Sequence, residues 1–367
     1  MREGIIWVVG VSFVASCGLT GAVRRYALRR GVLDVPNARS SHAVPTPRGG
    51  GLAIVVVVLA FILLLVPRGI ISGEIAAAIY GGGLVVAVVG WLDDRRGLPA
   101  GVRAMAQGLA ALWALGWLGG LPSLNLGVAR LPLGPVGFVL GVIGIVWSVN
   151  LYNFMDGIDG LASTEAITVA GMAALLIGGT RVGLLPSPGT TEAAPGPASI
   201  ALVSSLLVSA AAGFLVWNWP PAKIFMGDVG SGFLGFTFGV LAVASENSGG
   251  LPLLVWVLLL GVFVVDATAT LLRRICRRER WTEAHRTHAY QLAVQAGHTH
   301  KQVTVVVLGI NVALAAAAAA ACVWPRSLLA VVGICGIALV VLRAKIIKAY
   351  ELSHRSHTDT EMPLVDL

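Results

Sequence analysis

Residues 49–67 read GGGLAIVVVVLAFILLLVP. From Leu52 to Val66 no side chain is polar. A buried strand ends after four to eight such residues, and an amphipathic helix shows a polar face; this run does neither. With its flanks it is expected to form a membrane helix over 49–67, about 28 Å long at about 1.5 Å per residue and close to the roughly 30 Å hydrocarbon core of a bilayer. Comparable stretches lie near 4–22, 74–92, 103–119, 135–152, 164–182, 198–217, 231–246, 251–272, 302–321 and 326–343. The sequence therefore predicts an all-α polytopic membrane protein with about eleven transmembrane helices. Composition agrees: 56% of the 367 residues are hydrophobic and 12% charged, with mean hydropathy +0.84. Soluble domains carry about 25% charged residues.

The charges order these helices. Of the 26 Lys and Arg, 21 fall in the odd-numbered connections and after the last span. Basic residues gather on the cytoplasmic side, which places the N-terminus outside and the C-terminus in the cytoplasm. The net charge of +8 is thus read as topology and as attraction to membrane lipid and phosphate, not to nucleic acid. The run Val14-Ala15-Ser16-Cys17 resembles a lipoprotein box, but Arg24 and Arg25 follow the apolar segment, so it is read as the first membrane helix. Cys17, Cys276, Cys322 and Cys335 include no C-x-x-C pair and suggest neither a disulfide framework nor a zinc site. The outer connection 183–197, rich in Pro and Thr, is read as a flexible loop, and the segment after Arg343 as a fraying polar tail.

Polar residues concentrate on the side predicted to be cytoplasmic. Asp93, Asp94, Asp156, Asp159 and Asp228 all stand at helix ends, in glycine-rich connections. One such Asp is easily a helix cap. Five on one face would repel one another unless a cation lay among them, and hard oxygen ligands with an amide suit Mg2+. Facing them are Arg39, His42, Arg48, Arg103, Lys223, His285, Arg286 and His288, with Asn37 and Asn150 in the same loops. Arg and His hold phosphate through charge-assisted hydrogen bonds. Gly230, Ser231 and Gly232 open a helix whose backbone N–H groups could cradle a phosphate, or allow close packing instead. Arg273, Arg274, Arg277 and Arg278 are expected to mark orientation and touch anionic headgroups.

These motifs carry a resemblance. Asp93-Asp94, the N-x-x-N-x-x-D-G-x-D-G run at 150–160, P-A-K-I-F-M-G-D-x-G-S at 221–231 and the late H-R-x-H at 285–288 resemble the polyprenyl-phosphate N-acetylhexosamine-1-phosphate transferase superfamily. That superfamily includes undecaprenyl-phosphate GlcNAc-1-phosphate transferases and phospho-MurNAc-pentapeptide translocase. The resemblance covers about residues 1–345, implying one transmembrane transferase domain and a polar cytoplasmic tail at 346–367. It implies a cytoplasm-facing cleft in the bacterial inner membrane, where undecaprenyl phosphate takes an amino-sugar-1-phosphate from a UDP-N-acetylamino sugar and releases UMP. It also implies Asn153 and Asp228 as ligands of Mg2+ (or Mn2+), with Asp93 or Asp94 as base or lipid-phosphate contact. Arg103 would lie near the lipid phosphate, Asp156 and Asp159 at the nucleotide, and Arg286 and His288 at the diphosphate. A homodimer is compatible with this picture. The consecutive histidines of the translocase branch are missing from His285-Arg286-Thr287-His288, which favours the branch that initiates O-antigen and related cell-wall polysaccharides.

Two other readings compete. A CDP-alcohol phosphotransferase needs D-x-x-D-G-x-x-A-R, whereas Asp156-Gly-Ile-Asp159-Gly160-Leu-Ala162-Ser163 sets its Ala one place early and lacks the Arg. A secondary transporter would place ionisable residues at mid-membrane, and only Asp266 lies well inside a span.

Overall fold

The computed structural model describes residues 2–36, 44–181, 183, 195–279 and 285–360. Helices dominate: α1 (Arg2–Arg30), α2 (Leu52–Leu65), α3 (Gly73–Arg96), α4 (Ala100–Leu118), α5 (Gly134–Met155), α6 (Leu161–Arg181) and α7 (Pro195–Asn218) lead into α8 (Asp228–Ser248). Then come α9 (Leu253–Leu259), α10 (Gly261–Cys276), α11 (Ala289–Gln295), α12 (His300–Val323) and α13 (Leu328–Thr360). Two antiparallel ribbons complete the described residues, β1 (Leu33–Asp34) with β2 (Thr46–Pro47) and β3 (Ser123–Asn125) with β4 (Arg130–Pro132).

Every predicted span coincides with a helix or a helix pair. Among the described residues eight helices are long and apolar enough to cross a membrane, and α9 with α10 makes a ninth candidate bent by 82°. The helix Leu52–Arg68 is apolar but shorter, and α4, interrupted by Arg103 and Gln107, does not meet that test. The protein is therefore an all-α, multi-pass membrane protein. Residues 184–194 of the outer connection lie outside the described residues.

The centre of the bundle is α8, whose most apolar stretch is 83% buried, against 11% for α13 at the periphery. It packs between α3 and α5, while α6, α7 and α1 form a neighbouring layer. Buried aromatic side chains of Tyr152, Phe238, Phe263 and Trp256 interlock α5, α8, α9 and α10. Such contacts matter here because lipid is as apolar as the core, so helix association rests on close packing and hydrogen bonds. One example is Ser16 on α1, whose hydroxyl donates to the Ala210 carbonyl of α7 at 2.6 Å.

The polar tail is the clearest departure in the fold. Instead of ending near Arg343, α13 continues to Thr360. Apolar content falls away there, yet the Ala, Lys, Glu and Leu residues at 344–352 favour helix, so over that stretch propensity carries the element past the hydropathy signal. Arg343 itself is anchored, its Nε 3.1 Å from Asp266 Oδ1 and its Nη2 2.8 Å from Thr270 Oγ1. Asp266 also accepts the Ala289 N–H with both oxygens, at 3.0 and 2.9 Å. The one carboxylate expected deep in a span thus ties α10 to α13 and to the start of α11.

Candidate active site

Helices α3 and α5 end, and α8 begins, at the same edge of the bundle, which gathers Asp93, Asp94, Asn153, Asp156 and Asp228. Two backbone arrangements set their register. The segment after β2 lies along residues 225–226: Phe225 N–H donates to Pro47 O (2.8 Å), Gly50 N–H to Phe225 O (2.9 Å) and Gly51 N–H to Met226 O (2.9 Å). This tether carries Arg48 to the first turn of α8. The second is contact without side chains. A Cβ on Gly90 would stand 2.5 Å from the Asp228 carbonyl, and one on Gly230 would stand 2.6 Å from Gly51 Cα. Small residues at both points let α3 and the residues leading into α2 press against the head of α8.

Arg48 is the hub. Its Nη2 lies 2.8 Å from Asp94 Oδ1 and 3.0 Å from Asp228 Oδ1. Asp94 in turn accepts the backbone N–H groups of Asp228 (2.9 Å) and Val229 (3.2 Å). A carboxylate at a helix start satisfies orphan donors and complements the helix dipole. Asp94 is therefore a cap for α8, supplied from another helix. Its neighbour Asp93 faces the cleft, within hydrogen-bonding reach of the Asp228 side chain, and accepts from Leu98 N–H at 2.5 Å and from Arg103 Nη1 at 2.7 Å. The adjacent pair divides between framework and cleft. Asp94→Ala is expected to lower the apparent melting temperature in detergent by removing an N-cap worth about 1 kcal/mol or more. Asp93→Asn should leave melting unchanged while turnover falls. Equal melting temperatures for the two variants would refute this division.

The cleft has a volume of about 640 Å³. Asp93, Arg103, Asn153, Asp228, His285 and His288 line its polar end. Val86, Val89, Ala104, Val146, Trp147 and Leu271 form an apolar wall continuous with them. Asn153 lies within hydrogen-bonding reach of Asp228 and donates to Ser231 Oγ at 3.1 Å. Asn150 lines the cleft too, its amide donating to Gln107 Oε1 at 2.7 Å. Gln107 is a cleft residue that the sequence did not single out, since it sits alone among apolar neighbours in α4. Asp156 follows the end of α5. Burial first, and then the nearby Asp228 carboxylate, push its carboxyl well above the ordinary range, with Arg48 opposing them. Across the cleft the rings of His285 and His288 stack at 5.0 Å. His288 is 2% exposed, and burial lowers its pKa, so it stays neutral at neutral pH and presents ring hydrogen bonds rather than charge.

Several expected residues lie elsewhere. Ser231 is fully buried, and with the first two N–H groups of α8 taken by Asp94 the expected phosphate cradle is absent; the hydroxyl supports Asn153 instead. Lys223 is exposed and sits over the Trp217 ring, 5.9 Å from its centroid, outside the cleft. Asp159 joins three segments: its carboxylate accepts from Ala222 N–H at 3.0 Å and lies 3.2 Å from His300 Nδ1, and its carbonyl accepts from Thr304. Arg286 stands in the segment before α11, where its carbonyl accepts from Gln295. Asn37, Arg39 and His42 lie outside the described residues. Arg274, expected at the lipid surface, is 6% exposed, pairs with Glu279 at 3.2 Å and lies close enough to His288 to act on its charge. The helix ends at Cys276, so Arg277 and Arg278, beyond its last turn, are exposed while Arg274 packs inward. Arg274→Ala should accordingly destabilise the protein by about 1–3 kcal/mol, read as a fall in melting temperature.

No three Asp, Glu, His or Cys side chains converge as a metal site among the described residues. The oxygens of Asp93 and Asp228 lie within hydrogen-bonding reach of one another, with the Asn153 amide beside Asp228. That set is small, as is usual where Mg2+ takes its remaining ligands from phosphate and water.

Fold and site together define a multi-pass membrane protein whose amphipathic cleft suits an anionic lipid and a charged co-substrate. The glycosyl transferase family 4 matches residues 76–246. The probable undecaprenyl-phosphate N-acetylglucosaminyl 1-phosphate transferase of Bacillus subtilis (strain 168) is 30% identical over 302 residues, 81% of this chain and 79% of that protein. The decaprenyl-phosphate N-acetylglucosaminephosphotransferase of Mycolicibacterium smegmatis is 33% identical over 317 residues, 78% and 75% of the two chains. The phospho-N-acetylmuramoyl-pentapeptide-transferase of Frankia alni is 30% identical over 303 residues, 74% and 83%. The chain belongs to this family of polyprenyl-phosphate sugar-1-phosphate transferases, as its loop motifs implied.

Proposed function

We propose that the protein transfers an N-acetylamino-sugar-1-phosphate from a UDP-sugar to undecaprenyl phosphate, at the cytoplasmic face of a bacterial inner membrane. The observation that carries this reading is the cleft itself, which joins an acidic and basic end to an apolar wall. A prenyl chain along Val86, Val146, Trp147 and Leu271 would bring its phosphate to Arg103 and Asp93. The nucleotide diphosphate would enter from the side of His285 and His288, with Arg286 nearby. A lipid-phosphate oxygen then attacks the sugar-linked phosphorus, the bond to the uridine-bearing phosphate breaks, and UMP departs with both electrons of that bond. The acceptor is already an anion, so alignment and charge neutralisation dominate.

Mg2+ held by Asp228 and Asn153 would neutralise charge on the diphosphate oxygens. Arg48 orients Asp228 while Asp94 fixes the helix that carries it. Lipid-dependent, EDTA-sensitive release of UMP from purified protein tests the reading; release without undecaprenyl phosphate, or unaffected by EDTA, contradicts it.

The apolar wall makes a separate prediction. Val146→Trp narrows the wall without touching the polar end. It should raise the KM for undecaprenyl phosphate about tenfold, the equivalent of roughly 1.4 kcal/mol of lost apolar contact. The KM for the UDP-sugar should stay within twofold. A change confined to the UDP-sugar would move the lipid elsewhere.

A further inference from the structure

A second pocket of about 320 Å³ is lined by Arg48 and Asp94 and shares no lining residue with the cleft. Leu19, Ala22, Val23 and Tyr26 of α1 and Leu52 of α2 form its apolar walls, with Trp91 of α3. Its polar end is Arg48, Arg95 and Asp94. Asp94 is committed to Arg48 and to the head of α8. Arg95 is different. Its guanidinium lies over the Trp91 ring, 4.0 Å from the centroid, and among the described residues it makes no ion pair. Ala22, Tyr26 and Arg95 are exposed, so the pocket opens along the flank of α1.

Three features specify the occupant. The apolar walls continue up a membrane helix, so a hydrocarbon chain can leave the pocket into the bilayer. Tyr, Trp and Arg together sit where the bilayer meets water, the depth of lipid phosphates. The nearby end of α1 adds Arg25, Arg29 and Arg30, giving this corner an excess of positive charge that attracts anionic lipid. The volume is near the lower bound for a ligand site, roughly 300 Å³, sufficient for a headgroup and the first part of one chain.

We infer that this pocket binds an anionic phospholipid of the bilayer, its phosphate between Arg95 and Arg48 and one acyl chain against Leu19, Val23 and Trp91. Arg48 lines this pocket and reaches Asp228 Oδ1 at 3.0 Å, so the bound lipid sits one side chain away from Asp228. The inference does not rest on the proposed reaction.

The test is lipid retention by the full-length protein, taken from nanodiscs of equal phosphatidylglycerol and phosphatidylcholine and read by native mass spectrometry. The wild type should retain one phosphatidylglycerol at least fivefold over phosphatidylcholine. Arg95→Ala should abolish that preference, as should Ala22→Phe, which fills the pocket; melting temperatures report that both variants fold. Val146→Trp, in the other cavity, should leave retention unchanged. Equal retention of the two lipids by the wild type would overturn the inference, as would undiminished phosphatidylglycerol on Arg95→Ala. Loss of retention in Val146→Trp alone would place the lipid in the main cleft and overturn it equally.

Discussion

Asp228→Asn is expected to reduce UMP release by about 10³-fold or more while the protein melts at the wild-type temperature. A loss of that size corresponds to about 4 kcal/mol of barrier. The reasoning starts from position. Asp228 opens α8, lines the cleft and lies within reach of Asn153, so its carboxylate is the one best placed to face a diphosphate-bound cation. Asn preserves volume and one oxygen but removes the charge. Packing is untouched, because the backbone N–H of residue 228 is still capped by Asp94. The activity that remains should need far more Mg2+ for half-saturation. Near wild-type turnover in a folded Asp228→Asn variant would remove this residue from the metal site.

Arg48→Ala should cost about 10²-fold in turnover, with the opposite effect on the metal. One guanidinium nitrogen touches both Asp94 and Asp228, and its removal leaves two neighbouring carboxylates without their counter-charge. Breaking a buried pair costs about 3–5 kcal/mol, less here because the Arg48 side chain is 33% exposed. The site becomes more negative, so the Mg2+ concentration at half-maximal rate should stay level or fall even as kcat drops. Arg48→Lys keeps the charge but loses the planar fork, and should recover only part of the rate. A rise in the Mg2+ requirement matching that of Asp228→Asn would show that Arg48 does not act as a competing cation.

The two variants depend on features of unequal visibility in the sequence. Apolar runs marked each of the eight helices that are long and apolar enough to cross a membrane among the described residues, because hydropathy is a local property, whereas 49–67 forms a shorter apolar helix. The clustering of Asp93, Asn153, Asp156 and Asp228 was also legible, since alternating spans bring every second connection to the same face. What could not be read is which way each side chain turns. Asp93 and Asp94 are identical in type and adjacent, yet one lines the cleft and the other caps α8 from outside the helix. The strand-like pairing of residues 47–51 with 225–226 leaves no periodic signature, so the position of Arg48 became known only with the fold. Burial of Arg274 and Ser231 likewise depends on long-range packing. Glycine offered a usable hint: the runs at 49–51 and 227–232 mark close approach of backbones, although the partner of each is a tertiary fact.

The most direct test of the central claim follows the phosphate. UDP-GlcNAc labelled in the sugar and in the β-phosphate is incubated with purified protein, Mg2+ and undecaprenyl phosphate, and the lipid is extracted. Both labels should enter the lipid in equal amounts, with UMP as the water-soluble product. Sugar label in the lipid with the β-phosphate left in UDP would mean glycosyl rather than phosphoryl transfer, and would contradict the account.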